Sequence, residues 1–267
     1  DWNLQLIWTP DKSYYILPRQ GSEFEFTSGT PSVPRGFHLD IDPPARPSRF
    51  LADSDAGIRL STFKAGWDLT FNYLYHYDDV PAFPRSFRFT MDGPTVVVSP
   101  EYERSHLIGG TASKAFGDVT LRVEYGLFLD KYYPTRSLFD RDGVVKGDDF
   151  SYMVGLDWFG IKNTVVSVQM FQDWLTNTGK GVERDEVQTY TTFVVQHRLL
   201  NDTLTLEAVW FQDINHGDGL IRPKATYALN DRLSLYAGVD YFFGSDKGFF
   251  GQFDSKDRIY GGLTWSF

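Results

Sequence analysis

DRIYGGLTWSF, residues 257–267, alternates apolar and polar residues through to a terminal aromatic. In an extended strand Ile259, Gly261, Leu263, Trp265 and Phe267 share one side, and Arg258, Tyr260, Gly262, Thr264 and Ser266 share the other. The final residues of a water-soluble domain usually fray. Here the pattern carries on to the last position, and the fold turns on whether the rest of the chain repeats it.

It does. Period-2 alternation recurs along the 267 residues, with no amphipathic helix longer than two turns. Twelve strands are expected, over 1–9, 54–63, 67–77, 101–116, 119–130, 149–159, 164–174, 186–199, 203–213, 219–229, 232–243 and 256–267. The clearest are WDLTFNYLYHY (67–77), VTLRVEYGLFL (119–129) and LSLYAGVDYFF (233–243). Short turns rich in Gly, Asn and Asp, such as GD at 117–118 and ND at 230–231, alternate with long segments at 10–53, 78–100, 131–148, 175–185, 214–218 and 244–255. Short turns at one end and long loops at the other predict an all-β fold, a transmembrane antiparallel up-and-down β-barrel of about 12 strands. The turns would be periplasmic and the loops extracellular. WNLQLIWTP would then pair antiparallel with RIYGGLTWSF to close it as a single domain.

Composition narrows the alternatives. No apolar run approaches the roughly 18 residues of a spanning helix, and mean hydropathy is −0.32. With no cysteine there is neither a disulfide framework nor a thiolate metal site. A net charge of −9 argues against nucleic acid as a partner. A soluble β-sandwich or lipocalin-like barrel would alternate in the same way. Against it stand the strand lengths and the tryptophans. Trp2, Trp67, Trp158 and Trp265 fall at the short-turn ends of their strands, and Trp8, Trp174 and Trp210 towards the long loops. Together with Phe267 they form the two aromatic belts expected at membrane interfaces.

The opposite face carries charge: Arg59, Asp68, Arg122, Glu124, Asp157, Arg198, Glu207, Arg222, Lys224, Asp240 and Arg258. Facing lipid at mid-membrane, an unpaired charge costs about 2–4 kcal/mol, so these residues are expected to line the lumen.

GGLTWSF resembles the terminal signal read by the outer-membrane barrel assembly machinery, which implies that machinery as a partner of the C-terminal strand. IWTPDKSYYILPRQGSEF, DIDPPARP and AGIRLSTFKAGWDLTFNYLYHYDDVPAF, within about residues 7–83, resemble an uncharacterised family of Gram-negative outer-membrane proteins, a domain of unknown function. That resemblance implies a barrel, integral to the outer membrane and in contact with its lipid bilayer and lipopolysaccharide, and it transfers no catalytic residue.

Candidate chemistry is sparse. The outer-membrane phospholipase pattern HxSxG finds its nearest match in NHGDG (215–219), with Asp218 in the serine position; lacking a nucleophile, the chain is not read as an enzyme. His38, Asp40 and Asp42 in FHLDIDPP have alternate spacing and are weak candidate metal ligands, the plainer reading being a solvated loop. No cofactor is expected. Segment 10–53 holds seven of the thirteen prolines and is too long for a connector. It is expected to fold into or over the lumen, with Arg35, Arg46 and Arg49 available to lumen carboxylates; an external cap or disorder are the alternatives.

Three functions fit. The first is an outer-membrane, porin-like channel for passive or gated passage of small solutes, narrower than an open porin. The second is a non-conducting barrel acting as scaffold or receptor for another envelope protein. The third is a transporter of apolar molecules through a lateral opening, suggested by Phe24, Phe26, Phe37, Phe83, Phe87, Phe89, Phe249 and Phe250 in the long loops. Phe267→Asp is expected to lower the outer-membrane level of the protein more than a loop substitution of the same kind, as read by membrane fractionation. An unchanged level would remove the terminal aromatic from the assembly signal.

Overall fold

The computed structural model describes residues 1–10, 14–15, 18, 21–25, 36–91, 93–135, 142–178 and 181–266. Phe26, Arg35 and Phe267 lie outside these residues, as does all of 26–35 and 136–141.

The described residues form fifteen strands: β1 (Trp2–Thr9), β2 (His38–Ile41), β3 (Asp55–Lys64), β4 (Trp67–Tyr77), β5 (Arg85–Thr90), β6 (Gly93–Val98), β7 (Arg104–Phe116), β8 (Val119–Pro134), β9 (Val144–Trp158), β10 (Thr164–Thr176), β11 (Val187–Leu199), β12 (Leu204–Asp213), β13 (Asp218–Ala228), β14 (Leu233–Phe243) and β15 (Arg258–Trp265). Twelve form one antiparallel meander in the order β1-β3-β4-β7-β8-β9-β10-β11-β12-β13-β14-β15. These are the twelve strands expected from the alternation, and the short turns fall where expected. At the β3–β4 turn Ala65 and Gly66 both have positive φ, 52° and 79°, the two-residue geometry that matches strand twist.

The sheet is not closed. β1 pairs with β3 and β15 with β14, and among the described residues no ladder joins β1 to β15. The expected pairing of WNLQLIWTP with RIYGGLTWSF is therefore not formed. Both edge strands have only 8 residues, fewer than any strand between them. Without an outer neighbour their side chains are strongly exposed, Leu6 at 77% and Ile259 at 86%.

The long segments hold structure that alternation does not reveal. β2 pairs parallel with β6, and β6 antiparallel with β5, making a second, three-stranded sheet. Segments 10–53 and 78–100, expected as loops, thus contribute strands to it. Its centre is GPTVVV, whose Val96, Val97 and Val98 are buried. A run buried on both faces has no polar alternate, so a period-2 reading passes over it. β8 and β9 also run further into segment 131–148 than expected, past a bulge between Phe128 and Lys131 where Asp130 has φ 65°.

One part of segment 10–53 reaches across the molecule. Phe24 packs on Phe242 and Phe253, at ring separations of 6.1 and 5.5 Å, and under the Arg258 guanidinium at 5.0 Å. Lys256 donates to the Glu23 carbonyl. The segment that leaves β1, at one end of the sheet, is therefore fastened to β14 and β15 at the other. It meets Phe242 and Arg258 on the charge-bearing face, against a small core of Leu220, Phe242 and Phe253.

Candidate functional site

Antiparallel pairing carries face identity from strand to strand. Gln5 lies opposite Arg59, Arg59 opposite Asn72, and the row continues through Gly109, Gly126, Ser151, Asp173 and Gln188. Followed through the remaining ladders, this face holds all eleven charges: Arg59, Asp68, Arg122, Glu124, Asp157, Arg198, Glu207, Arg222, Lys224, Asp240 and Arg258.

The other face is largely apolar and exposed, with charges such as Lys64, Arg104 and Lys114 standing at or near the strand ends. Leu4, Leu6, Ile58, Phe71, Tyr125, Val154, Leu156, Val168, Met170, Phe193, Leu206, Ile221, Leu235, Ile259 and Leu263 all lie open on it. So do Trp2, Trp8, Trp158, Trp174, Trp210 and Trp265, with Trp67 half-buried. Trp2 and Trp67 open β1 and β4, and Trp158 and Trp265 end β9 and β15, all at the short-turn side. Trp158 pairs with Val166, and Trp174 stands eight residues further along β10 (166 to 174). That is about 26 Å of strand, or about 20 Å along an axis tilted by about 40°. At the long-loop rim Trp174 Nε1 and Tyr152 Oη both donate to Gln172 Oε1, at 2.8 and 2.6 Å.

On the polar face two ion-paired groups stand out. Asp240, with its side chain fully buried, accepts Arg222 Nε at Oδ1 and Arg258 Nε at Oδ2, both at 2.6 Å. Asp157 takes Arg122 in a two-point contact, Nη2 at 2.9 Å and Nε at 2.8 Å. Arg122 lies opposite Gly155, and its guanidinium passes beside that glycine to reach Asp157 two residues further along β9. Elsewhere the charges do not form a continuous ladder. Arg59 faces Gln5 and Asn72, and Glu124 faces Thr111 and Met153, so their neighbours are neutral. Lys224 is level with Glu207, which accepts from Gln196 at 3.3 Å, and Arg198 turns to Asp202 at 4.0 Å.

Four further carboxylates share this face towards the long-loop ends: Asp149, Asp173, Asp213 and Asp218. Asp149 is held by Tyr133 Oη at 3.0 Å and Arg184 at 2.7 Å. Asp149, Asp173 and Asp213 lie within strands already expected from the alternation and Asp218 one residue before one, so the same parity rule applied to every residue of each strand would have found them.

The loop arginines behave differently from the expectation that they reach lumen carboxylates. Arg49 pairs with Asp53 four residues on, at 3.0 Å, while the Ser48 and Arg49 amides cap the same carboxyl. Those Arg49 contacts hold the Asp53 carboxyl well below the usual carboxylate range. Arg46 covers the Tyr14 ring at 5.6 Å, and burial pushes the Tyr14 hydroxyl pKa up. Local partners are satisfied first. His38 and Asp40 lie on β2, and Asp42 just beyond it accepts from Ser99 at 2.7 Å; the three do not cluster as metal ligands would, and among the described residues the acidic and imidazole groups that do come together are those of Asp213, His216 and Asp218. No described helix is long and apolar enough to cross a membrane, which says nothing of strands.

No protein-family model matches the chain, and no curated protein does.

Asp240→Asn is expected to cost about 1–3 kcal/mol, because it leaves two guanidinium groups around a neutral amide. Arg258→Gln, at a half-exposed side chain, should cost less than about 1 kcal/mol. Unfolding midpoints of the detergent-solubilised protein check the order, and equal shifts would show that Asp240 is not the centre of the group.

Proposed function

We propose that the chain is an integral outer-membrane β-barrel that passes small solutes along its polar face. The observation that carries this reading is the inverted distribution of side chains, with the apolar row open to the surroundings and the charged row gathered opposite. In water that apolar surface would be far larger than monomers normally expose. In a bilayer it is the required exterior, with tryptophans at both interfaces.

A membrane also demands closure. Unpaired backbone groups in hydrocarbon cost several kcal/mol each, so the outer edges of β1 and β15 must find partners there. Phe24 and Lys256 already tie the segment after β1 to the β14–β15 end, which favours pairing of these edges with each other. The chain has no cysteine, so introduced pairs report cleanly. Cysteines at Leu4 and, in turn, at Ile259, Gly261 or Leu263 are expected to give an intramolecular disulfide in one combination, because paired strands bring Cβ atoms to about 4–5 Å. Disulfides formed only between chains, or none, would reject closure by these two strands.

Arg59, Asp68, Glu124 and Arg198 remain exposed on the polar face, which supports a water-filled passage over a solid interior. Segments 21–25 and 244–257 cover the same face near β14 and so narrow that passage. Single-channel recording in planar bilayers is the direct test. The intact protein is expected to conduct weakly, and a protein lacking residues 20–35, which spares β2, to conduct more. Silence in both would reject the channel and leave a scaffold or receptor for another envelope protein. The aromatic group of Phe24, Phe242, Phe250 and Phe253 beside the unpaired β15 edge favours, as a second reading, lateral passage of apolar molecules.

A further inference from the structure

We infer that Asp213, His216 and Asp218 bind a divalent transition-metal ion. β12 ends at Asp213 and β13 begins at Asp218, and the turn between them sets the two carboxylates directly opposite each other on the polar face. Like charges in that position repel. Water does not relieve them, since Asp213 is 2% and Asp218 0% exposed.

The hydrogen bonds leave one acceptor unanswered. Asp213 Oδ1 accepts the Asn215 and His216 amides at 2.8 and 3.3 Å, and Oδ2 faces His216 Nδ1 at 2.9 Å. Asp218 Oδ2 accepts the Phe250 and Gly251 amides at 2.7 and 2.9 Å. Asp218 Oδ1, sealed from solvent, has no hydrogen-bond partner. Gly248 packs so close to it that any side chain there would collide with the carboxylate. Among the described residues no Lys or Arg forms an ion pair with Asp213 or Asp218. Two buried carboxylates facing one another without a cationic side chain call for a cation between them.

The arrangement suits the cation. One ligand atom from each of the three residues falls within 4.8 Å of the others, the one group of this kind among the described residues. Metal–ligand bonds of about 2.0–2.2 Å put neighbouring ligand atoms about 3 Å apart. Asp213 Oδ2 and His216 Nδ1 already stand at 2.9 Å. Two carboxylates match a divalent charge, and the imidazole selects Zn²⁺ or Mn²⁺ over the all-oxygen preference of Ca²⁺. Because Asp218 also holds the Phe250 and Gly251 amides, the ion would fasten segment 244–257 to the β12–β13 hairpin.

The test uses the full chain in detergent, stripped with EDTA and titrated calorimetrically with Zn²⁺, Mn²⁺ and Ca²⁺. One equivalent of Zn²⁺ or Mn²⁺ is expected to bind, more tightly than Ca²⁺. Asp218→Asn and His216→Ala should each weaken that binding at least about tenfold. His216 is partly exposed at the turn, so its variant reads out binding even where Asp218→Asn disturbs folding. Absence of stoichiometric binding, tightest binding of Ca²⁺, or unchanged binding in both variants would overturn the assignment.

Discussion

Register is the constraint on which everything else in this molecule rests. Side chains alternate with a period of two, so a slip of one residue at any ladder would exchange the charged row for the apolar row over the whole of the next strand. The ladders hold parity where it matters. At Pro223, which has no amide hydrogen to give, the β13–β14 ladder is interrupted between Ile221/Tyr241 and Lys224/Gly238, and resumes in the same register. Arg222 therefore still reaches Asp240. The single shift, between Phe128 and Lys131, lies towards the long-loop end, beyond the apolar rows of β8 and β9.

This explains what could be read from sequence and what could not. The twelve-strand meander and the common face of its charges follow from local alternation plus turn chemistry, and both need only neighbours along the chain. Arg222 and Lys224 could be assigned a face without knowing any partner strand. The three-stranded sheet could not be found that way. HLDI is four residues long and becomes a strand only through parallel pairing with a segment more than fifty positions away. GPTVVV carries no alternation because both of its sides are covered. Edge pairing is a further property that alternation leaves undecided, since a strand reads the same whether one or both of its edges are bonded.

The candidate site divides the same way. Which residues share the polar face was legible, whereas which of them touch was not. The Arg222–Asp240–Arg258 group depends on three side chains converging from adjacent strands, and the two-point Arg122–Asp157 contact depends on the register that sets β8 against β9. Asp213 and Asp218 become opposite partners only once the length of the turn between them is fixed. Their pairing gives the polar face an unequal character, balanced along its middle and acidic towards the long loops, where Asp149, Asp173, Asp213 and Asp218 gather.

The contact between Glu23 and Lys256 spans 233 positions of sequence, whereas each ladder of the meander joins nearby strands. Hairpins can form early and locally, but this contact must wait until the segment that follows β14 is in place, against the chain entropy of closing so long a loop. It therefore works as a marker of completed folding. A chain stalled before β14 lacks Phe242, Phe253 and Lys256 and so has none of these groups to hold the segment that follows β1, which stays free of the polar face until that end of the chain arrives.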